Sequence, residues 1–324
     1  MFNTLVYNVD NTEFHYNSQG ELTACYSDEE CVNIPEEILG VKIKSIGLSA
    51  FCKLNQTKEV NIPDSVTRLK KKAFYGCVSL EKVKLSSNLQ HIGKEIFGQC
   101  TSLTEVSLAE DNPYFILSEG IIYNKERTRV ITALPYFKGS CNLPDEVIKI
   151  KSLAFEGCVG LTEIKLPAKL NDIGKYAFAD CSNLKEISIP SSLTKIKEGT
   201  FSYCTALNKV DLPSSIRTIG TLAFSDCYSL KTIALSENVK KIKEGAFRAS
   251  GLTEITLPEG LVKIEKEAFM DCEDLTKVTL PDSVKLIEYS SFKVPDKNKV
   301  IFYARKGTYG AEWAEKNGFK VEYI

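Results

Sequence analysis

Residues 154–176, AFEGCVGLTEIKLPAKLNDIGKY, are followed directly by residues 177–199, AFADCSNLKEISIPSSLTKIKEG, and the two segments share one design. Both fit the frame A-F-x-x-C-x-x-L-x-x-[VI]-x-[LI]-P-x-x-[LVI]-x-x-I-x-x-x. A fixed period of about 20–29 residues is typical of a solenoid built from short coils. The period therefore predicts one continuous repeat domain, in which each coil packs on its neighbours. The phenylalanine of the frame recurs every 23 residues, apart from one step of 58 and one of 22, at Phe51, Phe74, Phe97, Phe155, Phe178, Phe201, Phe224, Phe247, Phe269 and Phe292.

The triplet [VI]-x-[LI] of the frame alternates apolar, polar and apolar residues, which is the period of a half-buried β-strand. A proline follows the triplet in eight repeats, and it ends the strand because it has no amide hydrogen. The next segment, I-G-x-x-A-F, predicts a short helical turn on the other side of the coil, with its phenylalanine in the core. The fold class is therefore an α/β solenoid with one parallel sheet of about twelve rungs, at Val32-Ile34, Val60-Ile62, Val83-Leu85, Val106-Leu108, Cys141-Leu143, Ile164-Leu166, Ile187-Ile189, Val210-Leu212, Ile233-Leu235, Ile255-Leu257, Val278-Leu280 and Val300-Phe302.

Seven of the eleven cysteines lie three residues after a repeat phenylalanine, where Ser250 takes their place once. The ligands of a metal site are usually spaced by about two to four residues, and this column lacks that spacing. Disulfides between coils about 4.8 Å apart are disfavoured, because the Cβ vectors of neighbours run parallel. We expect reduced, buried thiols that satisfy backbone groups, while Cys25 and Cys31 could close a small loop. The column comprises Cys77, Cys100, Cys158, Cys181, Cys204, Cys227 and Cys272.

An insertion interrupts the period between Phe97 and Phe155, which are two periods plus twelve residues apart. The extra segment, at about residues 112–140, contains two apolar runs separated by the turn 124–128, and it predicts a hairpin in place of one outer turn. Both ends of the array must also cover an exposed core edge, since terminal coils lack a neighbour. The sequence therefore predicts an N-terminal β cap over residues 1–31 with paired strands at 2–8 and 13–16, a solenoid over 32–303, and a C-terminal cap over 304–324 with a helix at 308–316, a last strand at 319–324 and Trp313 over the final coil.

Composition and motifs exclude several functional classes. The formal net charge of −1 provides no basic excess for nucleic acid or an anionic membrane. No stretch approaches the roughly 18 apolar residues of a membrane-spanning helix. The two histidines, His15 and His91, lie in no motif with a nucleophile or with metal-ligand spacing. We therefore expect no enzyme, with no catalytic residue, no cofactor and no metal site.

The exposed strand positions and the aromatic insertion are the candidate partner-binding sites. Glu105, Glu163 and Glu186 occupy one repeat position and predict a local negative field that steers a basic partner. The insertion is the most aromatic stretch, and tyrosine is frequent in protein hot spots. Simple solvation of the charges and packing of the rings onto the solenoid are the alternatives. The candidate residues are Glu105, Glu163, Glu186, Lys165, Lys209, Asp211, Tyr114, Tyr123, Tyr136 and Phe137.

The frame resembles the bacterial leucine-rich repeats of the BspA-like, or Treponema pallidum, type, over roughly residues 34–302. Residues 120–124, GIIYN, and 307–314, GTYGAEWA, are similar to an insertion and an ending that are common in that family. The resemblance implies a right-handed superhelix with a curved parallel sheet on its concave side and short helical turns on its convex side. It also implies a secreted or cell-surface protein that acts in adhesion or protein binding and has no known active site.

We expect a non-enzymatic monomer that binds a protein or cell-surface ligand, with no direct membrane insertion. One alternative is a structural spacer within a larger surface assembly. A second is an intracellular, cytoplasmic scaffold, because the first ten residues contain neither a basic region nor an apolar run of signal-peptide length. A leader that is missing from the sequence would explain the same observation.

Overall fold

The computed structural model describes residues 4–52 and 54–324, and the chain forms two compact units. The first unit is Met1–Phe137 with Leu153–Cys158, and the second is Lys138–Ser152 with Val159–Ile324. The strands of the first unit are β1 (Leu5–Val9), β2 (Thr12–Tyr16), β3 (Glu21–Ser27), β4 (Cys31–Asn33), β5 (Glu37–Ile38), β6 (Val41–Lys42), β7 (Ser45–Ile46), β8 (Glu59–Asn61), β9 (Arg68–Leu69), β10 (Lys82–Lys84), β11 (His91–Ile92), β12 (Glu105–Ser107), β13 (Phe115–Ser118), β14 (Ile121–Asn124) and β15 (Arg129–Ala133).

The second unit continues the same alternation of short strands and turns and ends in a helix and a strand. Its elements are β16 (Gly139–Asn142), β17 (Lys149–Ile150), β18 (Leu161–Lys165), β19 (Asp172–Ile173), β20 (Glu186–Ser188), β21 (Lys195–Ile196), β22 (Lys209–Asp211), β23 (Thr218–Ile219), β24 (Lys241–Ile242), β25 (Glu254–Thr256), β26 (Lys263–Ile264), β27 (Lys277–Thr279), β28 (Leu286–Ile287), a 3₁₀ turn (Lys297–Lys299), β29 (Ile301–Ala304), α1 (Tyr309–Lys316) and β30 (Lys320–Tyr323).

The predicted rungs form parallel ladders in which the apolar residues point inward. In the first unit, β12, β10, β8 and β4 form one sheet, in which Val83 pairs with Val60 and Val106. In the second unit, β16, β18, β20 and β22 form a sheet, and β25, β27, β29 and β30 form another. Eleven of the twelve predicted rungs are strands, whereas residues 232–235 are not. Three four-stranded sheets therefore replace the single sheet that the sequence predicts.

A second set of parallel strands runs through the isoleucine near the end of each repeat. In the second unit, Ile196, Ile219 and Ile242 pair in register on β21, β23 and β24. Each of these strands is only two residues long. The sequence analysis misses them because one apolar residue is too short a signal to show a period of two.

The segment around the repeat phenylalanine forms non-helical turns that hydrogen-bond to the next coil, rather than the helical turn that the sequence predicts. Tyr176 and Asp180, which flank Phe178, have φ values of 55° and 59°. These left-handed residues prevent a right-handed helix. Instead the Phe178 N–H donates to the Thr200 carbonyl of the next coil at 2.9 Å, as the Tyr176 N–H does to the Glu198 carbonyl. The turns therefore join neighbouring coils directly.

The phenylalanine side chains stack into a continuous column inside each unit. In the second unit, five successive ring pairs from Phe178 to Phe292 have centroids 4.7–5.5 Å apart and planes within 11° of parallel. Phe178 and Phe247 are 0% exposed. Stacking of this kind stabilises by about 0.5–1.5 kcal/mol per pair beyond the burial of the rings. One phenylalanine per coil thus contributes to two interfaces between coils.

The cysteine column is buried and hydrogen-bonded to the backbone, as the sequence predicts. The Cys204 thiol donates to the Phe178 carbonyl of the preceding coil at 3.1 Å, and the Cys227 thiol donates to that of Phe201 at 3.2 Å. All eleven cysteines are free thiols. Cys25 is buried and Cys31 is exposed, and the two are not joined.

The insertion contributes three antiparallel strands, β13, β14 and β15, in the first unit. β14 pairs with β13 and β15, and residues 125–128 form the turn between β14 and β15. Asn112, which is 0% exposed, fixes the start of the insertion. Its side-chain amide donates to the Leu89 carbonyl at 3.1 Å, and its oxygen accepts from the Tyr114 N–H at 2.8 Å. The predicted strand, turn and strand are confirmed, with β13 as an additional strand.

Both ends carry elements that cover the core. At the N-terminal end, β1 and β2 form an antiparallel pair and β2 pairs with β3; residues 2 and 3 of the predicted first strand lie outside the described residues. At the C-terminal end, α1 begins after its N-cap Thr308, and the Thr308 hydroxyl accepts from the Ala311 N–H. Trp313 packs on Phe292 and Phe302 at centroid distances of 5.8 and 6.2 Å. Trp313 therefore covers the last coils, as predicted.

Candidate binding surface

The exposed side of the strands that carry the repeat triplet, which we call the strand face, presents side chains at fixed spacing. In the second unit it contains five candidate residues, all exposed, on β18, β20 and β22. The residues between them point into the core, as shown by Ile187, which is 1% exposed. Backbone pairing fixes the spacing of these positions, with β18 and β20 paired on both sides and β22 paired with β20 alone. The five residues are Glu163, Lys165, Glu186, Lys209 and Asp211.

The charges on this part of the strand face are only partly neutralised. Lys209 Nζ lies 3.6 Å from Glu186 Oε2 and 3.7 Å from Asp211 Oδ2. Glu163 pairs in register with Glu186, on strands about 4.8 Å apart. Within the described residues, Glu163 and Lys165 have no ion-pair partner. Like charges directly opposite each other destabilise a sheet, so this carboxylate pair is unfavourable in the free protein.

In the first unit, Glu105 lies on the edge strand β12, and Lys82 is its ion-pair partner at 3.3 Å. The half-buried Tyr136 of the insertion lies beside it. Burial raises the pKa of the Tyr136 hydroxyl, the backbone of Val106 lowers it through a hydrogen bond, and the charge of Glu105 raises it. The structure thus places one predicted carboxylate next to one predicted aromatic residue.

The other aromatic candidates of the insertion divide into surface and core. Tyr114 is 44% exposed and is open to contact. Tyr123 and Phe137 are 4% and 7% exposed, so they pack inside the insertion and offer no preformed contact surface. This corrects the assignment of these two residues as candidate contacts. Tyr123 lies on β14 and Phe137 lies between β15 and β16, and burial of both rings stabilises the fold.

The sequence-based candidates omit six exposed tyrosines of the described residues, which are Tyr26, Tyr203, Tyr228, Tyr289, Tyr309 and Tyr323. Tyr203, Tyr228 and Tyr289 are 49%, 53% and 92% exposed, and they lie on the turns rather than on the strand face. Burial and then Asp226 raise the pKa of Tyr228 most, and the charge of Tyr203 raises it further. The available signal was that tyrosine stands at repeat positions where other coils have charged or small residues.

The two histidines lie in the first unit, each on a β-strand. His15 contacts Glu13 at 2.5 Å and packs edge-on against Tyr26, and His91 lies on the short strand β11. Among residues 4–52 and 54–324, no group of three or more His, Cys, Asp or Glu side chains is placed to hold a metal ion. No helix in those same ranges is long and apolar enough to cross a membrane.

Stacked coils of one strand-turn-strand design, with an apolar column inside and variable residues outside, define a β-solenoid repeat protein. The chain belongs to the BspA type leucine rich repeat family, whose model matches six copies over residues 24–125, 138–251 and 240–306. No curated protein matches the sequence.

Three solved structures share this fold at low sequence identity. A leucine rich cell surface protein from Faecalibacterium prausnitzii is 22% identical, with a TM-score of 0.52 over 98% of this chain and 97% of that one. The pneumococcal vaccine antigen PcpA is 17% identical, with a TM-score of 0.56 over 99% and 98%. A leucine-rich repeat protein from Eubacterium ventriosum is 18% identical, with a TM-score of 0.51 over 91% and 96%.

Proposed function

We propose that this chain is a non-enzymatic binding protein that is secreted or displayed on a bacterial surface and holds a protein or cell-surface ligand on its strand face. The similar structures include proteins described as a cell surface protein and as a vaccine antigen, which favours this location. The observation that carries the proposal is the in-register pair Glu163 and Glu186. A basic partner that binds there removes a like-charge contact in the free sheet.

The charges favour a basic partner whose approach is steered by electrostatics. Both carboxylates are exposed, so their attraction to a cation acts mainly on the association rate and weakens with salt. The exposed Tyr114 and the half-buried Tyr136 in the first unit add aromatic surface, which suits close contact after the encounter. These residues therefore remain candidates for the slower, dissociation-limiting contacts.

The test is capture of partners from host-cell or neighbouring-cell extracts by the immobilised full chain. The comparison variant is Glu163→Lys/Glu186→Lys. The matched control is Glu146→Lys/Glu273→Lys, which makes the same change in net charge at two exposed positions away from the strand face. We expect proteins retained by the wild type and the control to be lost from the strand-face variant. Equal retention by all three proteins would contradict the assignment of the site.

A structural spacer is the second candidate. The observation that favours it is the set of ion pairs between neighbouring rungs, Lys82–Glu105, Lys209–Glu186 and Lys277–Glu254, which neutralise much of the strand face. A face that satisfies its own charges needs no ligand. Failure of the wild type to retain any protein above the level of blank beads would favour the spacer.

A further inference from the structure

A run of cations lies on the second set of parallel strands in the second unit. Three successive segments there, TKIK at 194–197, RTIG at 217–220 and KKIK at 240–243, contain six cationic residues and no carboxylate. The whole chain, by contrast, has 41 cationic and 42 anionic residues. These strands therefore carry a local positive field, although the net charge of the chain is −1.

The register of the strands places lysines on both sides of a short side chain. Lys195 on β21 pairs with Thr218 on β23, which pairs with Lys241 on β24, so the two lysines are about 10 Å apart. The Lys243 N–H donates to a carbonyl of β23 at 3.0 Å, which continues the ladder beyond β24. Because side chains alternate along a strand and Ile242 is buried, Lys241 and Lys243 project to the same exposed side.

We call Lys195, Lys241 and Lys243 the basic patch. Two further exposed cations border it in adjacent coils, since the Lys240 N–H donates to the Arg217 carbonyl at 2.9 Å. None of these five cations has an ion-pair partner within residues 4–52 and 54–324. Their charges repel one another in the free protein, and a polyanion bound across the patch removes that repulsion.

Two carboxylates beside the basic patch are already paired with other cations. Asp172 forms an ion pair with Lys197, the sixth cation of the three segments. A hydrogen bond from Lys175, 2.6 Å away, holds the pKa of Glu198 below its usual value, and the charge of Lys243 lowers it further. These carboxylates therefore leave most of the positive charge of the patch available to a ligand.

The turns that precede β24 and β26 contain two other carboxylates, Glu237 and Glu259. Both residues line a cavity of about 720 Å³ together with residues of the strand face such as Thr256. Within the described part of the chain, neither forms an ion pair with a cation of the basic patch. The acidic and basic surfaces of these coils are therefore distinct.

We propose that the basic patch binds a sulfated polysaccharide, which lies along β23 between Lys195 and Lys241. Lysine interacts with an anion as a point charge, whereas arginine provides the planar fork that suits carboxylates, so a patch of three lysines favours dense tetrahedral anions. The site is separate from the strand face, and the inference goes beyond the proposed function.

The composition of the patch disfavours other polyanions. Single-stranded nucleic acids bind through aromatic rings that stack on the bases, and the segments 194–197, 217–220 and 240–243 contain no aromatic residue. Lysine is depleted in protein–protein interfaces, which disfavours an acidic protein. A flexible sulfated sugar chain needs neither stacking rings nor an apolar centre.

The experiment measures fluorescence anisotropy of a labelled heparin octasaccharide titrated with the full chain. The comparison ligands are the same octasaccharide without its sulfates, and an oligothymidine of matched charge. We expect heparin binding that weakens as salt is added, and at least tenfold weaker binding of each comparison ligand. Equal binding of the desulfated sugar would overturn the role of sulfate, and equal binding of oligothymidine would overturn the assignment to a polysaccharide.

A variant of the chain tests the location of the site. Lys195→Gln/Lys241→Gln/Lys243→Gln removes the charges of the patch at exposed positions, so its affinity for heparin should fall at least tenfold. Unchanged heparin binding by this variant, with its thermal melt matching the wild type, would overturn the proposal. The variant leaves the strand face intact and should still capture the partners of the proposed function, so the two proposals can fail separately.

The matched control removes three exposed lysines outside the three segments. Lys94→Gln/Lys138→Gln/Lys185→Gln makes the same change in net charge and should bind heparin within twofold of the wild type. An equal loss of affinity in the control and the patch variant would show attraction to the overall charge, which would also overturn the site.

Discussion

The thiol of a column cysteine both fills space in the core and donates a hydrogen bond to a backbone carbonyl. The column cysteines fill small buried sites, and five of them donate to the carbonyl of the phenylalanine one coil earlier, as Cys272 does to Phe247 at 3.1 Å. Ser250, which is 2% exposed, occupies the same position and contacts the Cys272 sulfur at 3.5 Å. The position therefore requires a small hydrogen-bond donor rather than redox chemistry.

Thiol reactivity should separate buried from exposed cysteines. Burial raises the pKa of Cys272 from 9.0 to about 11, which leaves about 0.1% thiolate at pH 8. We expect a chromogenic disulfide reagent to modify only the exposed Cys31 and Cys52 in the folded chain, and the remaining nine thiols after denaturation. Rapid modification of more than two thiols in the native state would contradict this. Mass shifts from disulfides between coils would do so as well.

The same pKa shift predicts a pH dependence of stability. Since the folded chain holds the Cys272 proton more tightly than the unfolded chain, ionisation favours unfolding as the pH rises above 9.0. The free energy of unfolding should therefore fall between pH 9 and pH 11, measured by urea denaturation. Cys272→Ser, which introduces the residue that Ser250 already supplies at this repeat position, should show a smaller fall. An identical pH profile for both proteins would contradict the role of this thiol.

A charge in a rung should damage the coil in which it lies. Ile187→Asp places a carboxylate in the core, and an uncompensated buried charge costs about 3–5 kcal/mol. Each coil packs on its neighbours, so we expect protease cleavage to spread from β20 into the adjacent coils. Ser140→Asp, at an exposed position on β16, is the control and should keep the wild-type cleavage pattern. The same pattern for Ile187→Asp would show that this residue does not face the core.

At the scale of elements, the turns store backbone strain that the strands do not. The residue two positions after the repeat phenylalanine has positive φ in coil after coil, and glycine occupies it at Gly76 and Gly157. Gln99 stands at the same position with φ 59° and is exposed. A left-handed conformation is unfavourable for a residue with a Cβ by about 1–2 kcal/mol.

Gln99→Gly should therefore stabilise the chain. We expect a gain of about 1 kcal/mol in the free energy of unfolding, because relief of the strain exceeds the added entropy of the unfolded glycine. The matched control is Gln90→Gly, an exposed glutamine without positive φ, which should lose about 0.5 kcal/mol. Both are measured by chemical denaturation. A loss of stability in Gln99→Gly would show that this turn is not strained.

How far the sequence predicts these elements depends on the length of each signal. The alternation in each triplet repeats about twelve times, so eleven strands are predicted correctly. The prediction of a helical turn is wrong because the turn residues adopt left-handed φ values. These values depend on hydrogen bonds to the next coil, which leave no residue pattern apart from an occasional glycine. The sequence also does not predict that residues 232–235 lack strand structure, because these residues keep the apolar pattern of the other rungs.

Across the whole molecule, the core positions of the repeats are regular and the surface positions vary. Function depends on the surface positions, so it is harder to predict from the sequence than the fold is. The sequence places Glu163 and Glu186 at one exposed repeat position, which agrees with their register, but it does not predict the ion pair of Glu186 with Lys209. It places Tyr123 among the candidate contacts, although the fold buries it. Ion pairs and ring burial depend on neighbours in other coils, which a single repeat does not encode. The handedness of the superhelix, the monomeric state and the domain boundaries remain predictions.

The most direct test of the account is the binding kinetics of a captured partner on the immobilised chain, measured by surface plasmon resonance at several salt concentrations. We predict that Glu163→Lys/Glu186→Lys slows association and removes most of its salt dependence, whereas Tyr114→Ala/Tyr136→Ala mainly speeds dissociation. The control Glu146→Lys/Glu273→Lys should retain wild-type kinetics. If both the carboxylate and the tyrosine variants, verified as folded, bind with wild-type rates, the strand face is not the binding site and the central claim is wrong.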